Sequence, residues 1–373
     1  MTSKGFLPLR QSRLPEADAL LPYLREIDRN KWYSNFGALH CRLEERLAKH
    51  FRVEPSQLVC LANGTTGLTL SLRALNASPG VFCLMPSFTF AAVPAAAVAA
   101  GMIPFFMDVN PLTWALDPTA ISAGLANVPG RVGAVIVVSP FGAPIDPDPW
   151  DRWREETGMA VVVDAAWGFD SAGIGQAPVV VSLHATKVLG IGEGGLAASR
   201  DAKLIGEIRS RANFGFGASR LANHLGGNGK LSEYGAAVGL AALDRFPMSR
   251  NQARDLAAEY LDAFAGMPGV RVLPGFNGDW ASAAFAVGFD APVATHVSER
   301  LASLNIESRN WWGAPCHLHP AFQGFPHGDL KHTEALSRRV LNLPFFPAMK
   351  RGDVVRVRDA LAEAYDQITA TVP

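Results

Sequence analysis

The 373-residue sequence is poor in cysteine, with only Cys41, Cys60, Cys83 and Cys316, and no two of these form a CxxC pair. Such spacing provides neither the framework of a disulfide-stapled secreted domain nor the ligand set of a structural zinc site. We therefore expect reduced thiols and no bound metal.

The sequence also lacks an excess of charge of either sign. Lysine and arginine together number 34, aspartate and glutamate number 34, and the formal net charge is zero. Proteins that bind nucleic acid or an anionic membrane through their overall field carry surplus positive charge, so neither partner is expected. An anionic ligand has to be bound by local geometry.

No uninterrupted apolar run is long enough to cross a membrane. The longest, residues 90–107, contains Pro94, Gly101 and Pro104 and is better interpreted as a helix followed by a buried strand. The first 18 residues lack the apolar core of a signal peptide. Together with the reduced thiols, these features make the cytoplasm the expected location.

Residues 55–245 alternate short apolar runs with helical patterns. The runs at 133–142 and 159–167 are apolar almost throughout, which is typical of strands covered on both faces, and an amphipathic helix is predicted between them. This βαβ rhythm predicts an α/β fold with a mainly parallel sheet and helices on both sides.

The pattern changes after residue 246, where helices alternate with two short strands, at 269–275 and 282–289. A change of this kind predicts a second, smaller α+β domain. The expected parts are an N-terminal arm with a first helix (1–30), a large domain (31–246) and a small C-terminal domain (247–373).

Two polar groups fall at predicted carboxyl ends of strands, where parallel sheets bind ligands. The turn NGTTG, residues 63–67, has free helix amides and hydroxyls that suit a phosphate, although an ordinary helix N-cap is the better interpretation of this turn alone. Asp164 ends an apolar strand, where an unpaired carboxylate is costly. It either caps a turn or holds a cationic ring nitrogen.

A lysine and an aromatic pair complete the constellation. Lys187 follows Ser182 and His184 and precedes a glycine-rich turn, and a lysine between two buried segments either finds a partner or loses its proton and becomes a nucleophile. Phe88 and Phe90 are core residues by ordinary burial statistics, or they offer a flat ligand a stacking face.

Taken together, these groups are what pyridoxal 5′-phosphate requires: a phosphate cradle, an amine for its aldehyde, a carboxylate for its ring nitrogen and an aromatic face. In this interpretation Lys187 forms a Schiff base with the cofactor and later moves a proton as a base. Asp164 keeps the pyridine nitrogen protonated.

Several segments resemble the DegT/StrS-type pyridoxal-phosphate-dependent nucleotide-sugar aminotransferases, most specifically SLHATKVLGIGEGG (182–195) and NGKLSE (228–233). The resemblance covers nearly the whole chain. It implies the type I aspartate aminotransferase fold, with a seven-stranded, mainly parallel sheet in the large domain. It also implies transamination of a nucleotide-linked keto-deoxy sugar, with L-glutamate as amino donor, to give an amino-deoxy sugar for polysaccharide or glycoside biosynthesis.

The resemblance assigns roles to individual residues of this chain. Lys187 matches the Schiff-base lysine, Asp164 the pyridinium partner and Phe90 the aromatic that stacks on the ring. The residues matching phosphate ligands are Gly64, Thr65, Thr66, Ser182 and, from the neighbouring subunit, Asn228. The match of Asn228 implies a homodimer with shared active sites.

Other positions leave alternatives open. Trp167 stands where many members carry Gln or His against the cofactor's phenolic oxygen, so it either donates its indole N–H there or only packs. Glu233 either supports the loop of Asn228 or is a helix-start capping partner. His184 is interpreted as a structural histidine rather than an acid or base.

In the small domain, the segment RNWWGAPCHLHPAF resembles the family's substrate side. Trp311, Trp312 and His317 are therefore substrate candidates, and packing between the domains is an equally good interpretation. His317 and His319 beside Cys316 are too few to predict a metal site.

Two functions of other classes remain as alternatives. A lyase or desulfurase on the same fold requires a reactive cysteine on a mobile loop, for which Cys316 is the only candidate. A catalytically silent regulator would have lost the chemistry, whereas Lys187 and Asp164 are both present. A rare branch of the family that dehydrates its substrate has histidine in place of the lysine, so Lys187 also favours transamination.

Overall fold

A seven-stranded sheet forms the centre of the computed structural model, which describes residues 5–77, 79–217, 219–310 and 312–369. Its strands are β1 (Leu58–Leu61), β2 (Phe82–Pro86), β3 (Ile103–Met107), β4 (Val132–Val138), β5 (Ala160–Asp164), β6 (Val179–Ser182) and β7 (Gly195–Ala198). The spatial order is β1-β7-β6-β5-β4-β2-β3. Only β7 is antiparallel to its neighbours, so the predicted mainly parallel seven-stranded sheet is confirmed.

Helices cover both faces of this sheet. The helices of the described ranges are α1 (Ala17–Asn30), α2 (Ala38–Phe51), α3 (Gly64–Ala74), α4 (Ala92–Ala99), α5 (Pro118–Gly124), α6 (Pro147–Thr157), α7 (Ala202–Ala212), α8 (Glu233–Phe264), α9 (Ala294–Ser303), α10 (Lys331–Ser337) and α11 (Arg351–Thr369). Helices α3, α4 and α7 pack on one face, and α2, α6 and α8 on the other. None of the helices within the described ranges has both the length and the apolar character needed to cross a membrane.

Burial on both faces explains the continuous apolar runs of β4 and β5. The two strands pair in parallel from Ala134 opposite Ala160 to Val138 opposite Asp164. Asp164 is therefore the last residue of a buried strand in the middle of the sheet, and its side chain lies at the edge where parallel sheets bind ligands.

A second, antiparallel sheet contains β8 (Val270–Val272), β9 (Phe285–Phe289) and β10 (Val340–Leu343), with β9 in the middle. Its apolar side chains continue the core on one face of the large sheet. The four cysteines are free thiols.

Helix α8 joins the two sheets without a break. It is 32 residues long although Pro247 lies inside it. Its first half packs on α1 and α2, and its second half packs on α11 and β8. Pro247 does not break this helix, because packing along the whole length of α8 outweighs the local cost of a proline. The domain boundary at 246 falls inside this helix and stays a prediction.

Glu233 begins α8 but caps a different helix. Its buried carboxylate accepts the backbone N–H of Leu39 (2.9 Å) and of His40 (2.8 Å), at the start of α2. Capping was one of the two open interpretations, and the helix that it stabilises lies almost 200 residues earlier in the chain. Ser232 caps α8 itself by accepting the N–H of Gly235 at 3.1 Å.

The residues before α1 lie along the small sheet. The N–H of Leu7 donates to the carbonyl of Asn305 (2.9 Å), and the N–H of Glu307 donates back to Leu7 (2.9 Å). The carbonyl of Leu9 accepts the N–H of Phe345 at 3.1 Å. Leu7 and Leu9 are both buried, so residues 5–10, here called the N-terminal segment, are anchored through both backbone and side chains.

Candidate active site

A cavity of about 1050 Å³ opens at the carboxyl ends of β4, β5 and β6. All the residues that the sequence assigned to the cofactor line it, namely Gly64, Thr65, Thr66, Phe90, Asp164, Trp167, Ser182, Lys187 and Asn228. Trp312 lines it as well, whereas Trp311 lies outside the described residues. These residues extend along the sequence from Gly64 to Asn228, so the fold itself brings the site together.

The first turn of α3 forms an anion cradle at one end of this cavity. The N–H of Thr66 donates to Oδ1 of Asn63 at 2.8 Å, whereas the N–H groups of Gly64 and Thr65 have no acceptor within the helix, as at any helix start. The positive end of the helix dipole adds to their attraction for an anion. A Cβ on Gly64 would lie 3.3 Å from Cβ of Ser182, so the serine lies directly beside the cradle.

One glycine of the turn after Lys187 makes this cradle possible. A Cβ on Gly195 would lie 2.6 Å from the carbonyl carbon of Asn63 and 2.6 Å from the nitrogen of Gly64, which is too close for any side chain. Glycine at the start of β7 therefore allows that strand to pass against the strand-to-helix turn, and it explains part of the glycine richness around the lysine.

Lys187 lies in the connection between β6 and β7, and its half-buried side chain lines the cavity. Its backbone N–H donates to the carbonyl of His184 at 2.9 Å, and its Nζ lies 3.7 Å from the ring centroid of Trp167. Burial lowers the pKa of Lys187 to about 7, an effect opposed by the charge of Asp164 and assisted by that of Arg10. A large fraction of this amine is therefore neutral and nucleophilic at neutral pH.

Asp164 is a buried carboxylate on the same cavity. Burial raises its pKa to about 6, while the N–H of Ala166, 2.9 Å from Oδ1, and the charge of Lys187 act in the opposite direction. The group is therefore mostly ionised at neutral pH. A buried negative charge in this position stabilises a protonated ring nitrogen.

Two basic side chains lie over the ring of Trp167. In addition to Nζ of Lys187, the guanidinium carbon of Arg10 lies 4.2 Å from the ring centroid of Trp167, within the range of cation–π attraction. The indole is buried. Two interpretations were open for Trp167, which stands where many family members carry Gln or His. The structure shows that Trp167 packs against neighbouring side chains, which agrees with one of them.

The two phenylalanines of the segment PSFTF have different environments. Phe88 is buried, with its ring edge-on to those of Trp312 (5.2 Å) and Phe141 (6.4 Å). Phe90 is 55% exposed and lines the cavity. Trp312 stacks on Phe141 at 4.4 Å. The core interpretation thus holds for Phe88, and Phe90 is the aromatic available to a flat ligand.

The two candidate histidines also differ. Nδ1 of His184 is 2.9 Å from Oγ1 of Thr186, its Nε2 is 3.7 Å from Glu193, and the residue lines the cavity. His317 is buried, with Nδ1 2.8 Å from Oγ of Ser87, and it is not among the lining residues. The packing interpretation of His317 agrees with this position. Its contact with substrate and the structural role of His184 stay predictions.

Cys316 has the properties of a core thiol. It is fully buried, its Sγ lies 3.2 Å from the carbonyl oxygen of Thr89, and burial raises its pKa to about 12. A thiol in this environment is protonated and inaccessible at neutral pH. In the part of the chain that the structure describes, no three Cys, His, Asp or Glu side chains are grouped as metal ligands.

Three charged residues beside the N-terminal segment line the cavity and were not among the predicted site residues: Arg10, Glu307 and Arg309. The carboxylate of Glu307 accepts the N–H of Leu9 at 2.9 Å and Nη2 of Arg309 at 3.2 Å. Arg309 begins the segment RNWWGAPCHLHPAF, whose resemblance to the family's substrate side is the one signal that could have identified it. Arg10 and Glu307 belong to no motif, and they meet Arg309 because the N-terminal segment pairs with Ile306.

Asn228 lines the cavity of its own chain. The loop that carries it is fixed by a β-bridge to Asn213, and Gly229 packs so closely on Thr66 that a Cβ would lie 2.9 Å from Cγ2 of that threonine. The asparagine therefore lies near the helix cradle. Its expected contact with the phosphate of a neighbouring subunit stays a prediction.

These groups fit pyridoxal 5′-phosphate. The cavity presents a helix cradle at Gly64, a partly neutral amine at Lys187 and a buried carboxylate at Asp164. The exposed ring of Phe90 lies on the same cavity. Phosphate, aldehyde, ring nitrogen and ring face each have a chemically matched partner.

Comparison with known proteins agrees with this chemistry. The profile of the DegT/DnrJ/EryC1/StrS aminotransferase family matches residues 16–362. Protein Rv3402c of Mycobacterium tuberculosis is 32% identical over 96% of this chain and 90% of that protein. The dTDP-3-amino-3,4,6-trideoxy-alpha-D-glucose transaminase of Streptomyces venezuelae is 29% identical over 84% of each chain.

Solved structures give the same result. The crystal structure of DesI in the presence of its TDP-sugar product is 32% identical, has a TM-score of 0.86 and covers 98% of this chain and 95% of that chain. The protein is thus an aminotransferase with pyridoxal 5′-phosphate as its cofactor. Since the family profile spans almost the entire sequence, the chain belongs to the DegT/DnrJ/EryC1/StrS aminotransferase family.

Proposed function

We propose that this protein transfers an amino group from L-glutamate to a keto-deoxy sugar linked to a nucleotide, giving an amino-deoxy sugar nucleotide for polysaccharide or glycoside biosynthesis. The observation that carries the proposal is the convergence on one cavity of the Lys187 amine, the Asp164 carboxylate and the helix start at Gly64. Two of the relatives described above are named for sugar nucleotides, one as a transaminase and one with its TDP-sugar product.

Each end of the cofactor has candidate ligands. The phosphate is assigned to Gly64, Thr65, Thr66, Ser182 and, from the neighbouring subunit, Asn228. The ring face is assigned to Phe90, the ring nitrogen to Asp164 and the aldehyde to Lys187, while Trp167 either donates its indole N–H to the phenolic oxygen or only packs beside the cofactor. When bound, the cofactor supplies an aldehyde that reacts with amines and a ring that accepts electrons from the carbon losing its proton.

Lys187 has the proton-transfer role in this proposal. With its pKa lowered to about 7 by burial, its amine takes a proton near neutral pH and also returns one. It removes the proton from Cα of the amino donor and, in the second half of the cycle, delivers one to the carbon of the sugar that receives nitrogen. Asp164 keeps its negative charge throughout and stabilises the protonated ring nitrogen.

The size of the cavity suits a large substrate. At about 1050 Å³ it lies at the upper end of the range for small-molecule sites, which leaves room for a nucleotide sugar beside the cofactor. The wall away from the sheet is formed by Arg10, Glu307, Arg309 and Trp312, so polar and aromatic groups face the substrate side.

We also propose a homodimer with shared sites, located in the cytoplasm. The loop leading to Asn228 carries Leu221 and Leu225, which are 71% and 88% exposed in the single chain. Exposed apolar side chains beside a binding site are typical of an interface. Four unpaired thiols suit a reducing compartment.

The alternative functions have less support. A desulfurase requires a reactive thiolate, whereas Cys316 is buried and its pKa is raised to about 12. A silent regulator has no need of a buried amine and a buried carboxylate on one cavity, yet Lys187 and Asp164 are both there.

The deciding experiment follows the visible absorbance of the bound cofactor in the holoenzyme. We expect L-glutamate to bleach it, and the matching keto sugar from a panel of thymidine- and uridine-linked compounds to restore it. Mass spectrometry should show a sugar product in which an amino group has replaced the keto oxygen. Bleaching by cysteine or another amino acid, but not by glutamate, would instead favour a lyase.

A further inference from the structure

The wall of the cavity opposite the sheet carries two arginines that none of the roles above uses. Arg10 and Arg309 both line the cavity. They are close enough to interact electrostatically, because the charge of Arg309 contributes to lowering the pKa of Arg10. Paired guanidinium groups on one wall suit a carboxylate or a phosphate, which arginine binds in bidentate geometry.

Arg10 is held in place by its surroundings. The N-terminal segment is anchored by the hydrogen bonds of Leu7 and by the N–H of Leu9, which donates to Glu307 at 2.9 Å. The guanidinium carbon lies 4.2 Å from the ring centroid of Trp167. Burial, and secondarily Arg309, lowers the pKa of Arg10 to about 10, so the side chain stays positively charged at neutral pH.

The distance from Arg10 to Lys187 indicates which anionic group of a substrate Arg10 can bind. Nζ of Lys187 and Cζ of Arg10 lie 3.7 Å and 4.2 Å from the centroid of the same indole, so they are at most about 8 Å apart. In an α-amino acid the nitrogen lies about 2.5 Å from the carboxylate carbon. A bidentate arginine–carboxylate pair adds about 4 Å between carbon atoms. An amino acid whose nitrogen lies near Nζ therefore has its α-carboxylate within reach of Arg10.

The diphosphate of a nucleotide sugar fits this position less well. In such a substrate several bonds of the sugar ring separate the reacting carbon from the first phosphate, whereas only two bonds separate the amino nitrogen from the carboxylate carbon of an amino acid.

We propose that Arg10 is a specificity-determining residue that binds the α-carboxylate of the amino donor against the face of Trp167. The proposal rests on the transamination proposed above, and it predicts that amines without a carboxylate are poor donors. Arg309, held by Glu307 at 3.2 Å, adds positive potential to the same wall.

The test compares Arg10→Gln and Arg10→Lys with the matched control Arg13→Gln, which alters an exposed arginine of the same region. In the holoenzyme, Arg10→Gln should raise the glutamate concentration for half-maximal bleaching at least about tenfold, because a charge-assisted bidentate contact is lost. Arg10→Lys should fall between this variant and the wild type. The visible absorbance before glutamate is added, which reports cofactor binding, should be unchanged in all three.

A binding measurement decides the proposal without turnover. Calorimetric titration of the holoenzyme with 2-oxoglutarate, a carboxylate that carries no amine, should show affinity lost in Arg10→Gln and kept in Arg13→Gln. Equal affinity in wild type and Arg10→Gln would overturn the proposal. So would a titration in which Arg10→Gln weakened thymidine diphosphate more than 2-oxoglutarate, because Arg10 would then serve the nucleotide.

If wild-type holoenzyme failed to react with every amino donor but still bound 2-oxoglutarate through Arg10, the proposed function would fail while the carboxylate site would stand. If the wild type turned over with glutamate and Arg10→Gln did so equally well, only the carboxylate site would fail. The two conclusions are therefore separable.

Discussion

The two walls of the cavity have different origins. One consists of strand ends and a helix start in the large sheet, and it presents Gly64, Asp164 and Lys187. The other consists of the N-terminal segment and the chain after α9, and it presents Arg10 and Arg309. In our proposal, the first wall binds the cofactor and the second wall binds the substrates.

The difference between the walls shows which parts of a site a sequence reveals. Parallel strands bring their carboxyl ends to one edge by geometry alone, so residues at those ends lie together in any correct alignment of strands. The second wall depends on pairing between Leu7 and Ile306, a contact across 299 positions that no local pattern encodes. Chemistry common to a family is thus easier to predict than substrate choice.

The strongest disruption of the sheet wall is Lys187→Ala. We expect turnover to fall at least about 10³-fold, because one amine both meets the cofactor aldehyde and moves the proton. The cofactor should wash out on dialysis while circular dichroism stays unchanged. Lys203→Ala, at an exposed position of α7, is the control and should behave like wild type. A Lys187→Ala enzyme with wild-type turnover would contradict the assignment.

Asp164→Asn tests the charge on the same wall. The amide retains an oxygen that accepts the N–H of Ala166, so chiefly the negative charge is lost. We expect a rate loss of about 10²-fold, the scale of removing one preorganised electrostatic partner, together with weaker cofactor retention on dialysis. The exposed Asp148→Asn serves as control. Kinetics equal to wild type would make Asp164 a turn residue only.

Leu9→Ala should loosen the second wall without affecting the first. Truncating this buried leucine should lower the free energy of unfolding by about 2–3 kcal/mol, as for other buried leucines, in urea denaturation. Half-saturation with glutamate should rise several-fold, and the visible absorbance of the cofactor should not change. Phe6→Ala, at an exposed site of the same segment, should alter neither. Loss of cofactor in Leu9→Ala would show that the walls are not separable.

The smallest expected effect concerns how cofactor uptake by the apoenzyme depends on pH. A neutral amine attacks an aldehyde, so cofactor uptake by the apoenzyme should rise with pH as Lys187 loses its proton. Since burial lowers the pKa of Lys187 to about 7, we expect half-maximal uptake near pH 7 and a plateau above it, measured by the growth of visible absorbance. Asp164, with a pKa raised to about 6, is ionised across most of this range. A midpoint above pH 9 would indicate a solvated lysine.

Much of the sheet was predictable because its strands are covered on both faces. The apolar runs of β4 and β5 have no other stable environment than the centre of a parallel sheet, and Asp164 and Lys187 follow from that placement. The role of Glu233 was only partly predictable, because its partners at Leu39 and His40 lie in a helix far away in sequence. Local sequence patterns can indicate that a carboxylate caps a helix, but they do not identify the helix that it caps.

Helix α8 shows an effect of packing that local signals do not encode. It continues through Pro247, beside the domain boundary predicted at 246, as one helix. Proline disfavours the helix interior by removing one hydrogen bond, and the packing of both halves of α8 on other helices compensates for that loss. Sequence patterns report the local free-energy cost of a residue such as proline, whereas the stability of a helix also depends on all of its tertiary contacts.

The unbroken course of α8 also restricts how the chain can change its length. Inserting or deleting a single residue near its middle would rotate everything beyond that point by about 100°, turning Tyr260 and Phe264 away from the small sheet in which they are now buried. We therefore expect relatives to differ in length in the loops before and after α8, and to keep the number of residues between the positions of Glu233 and Phe264.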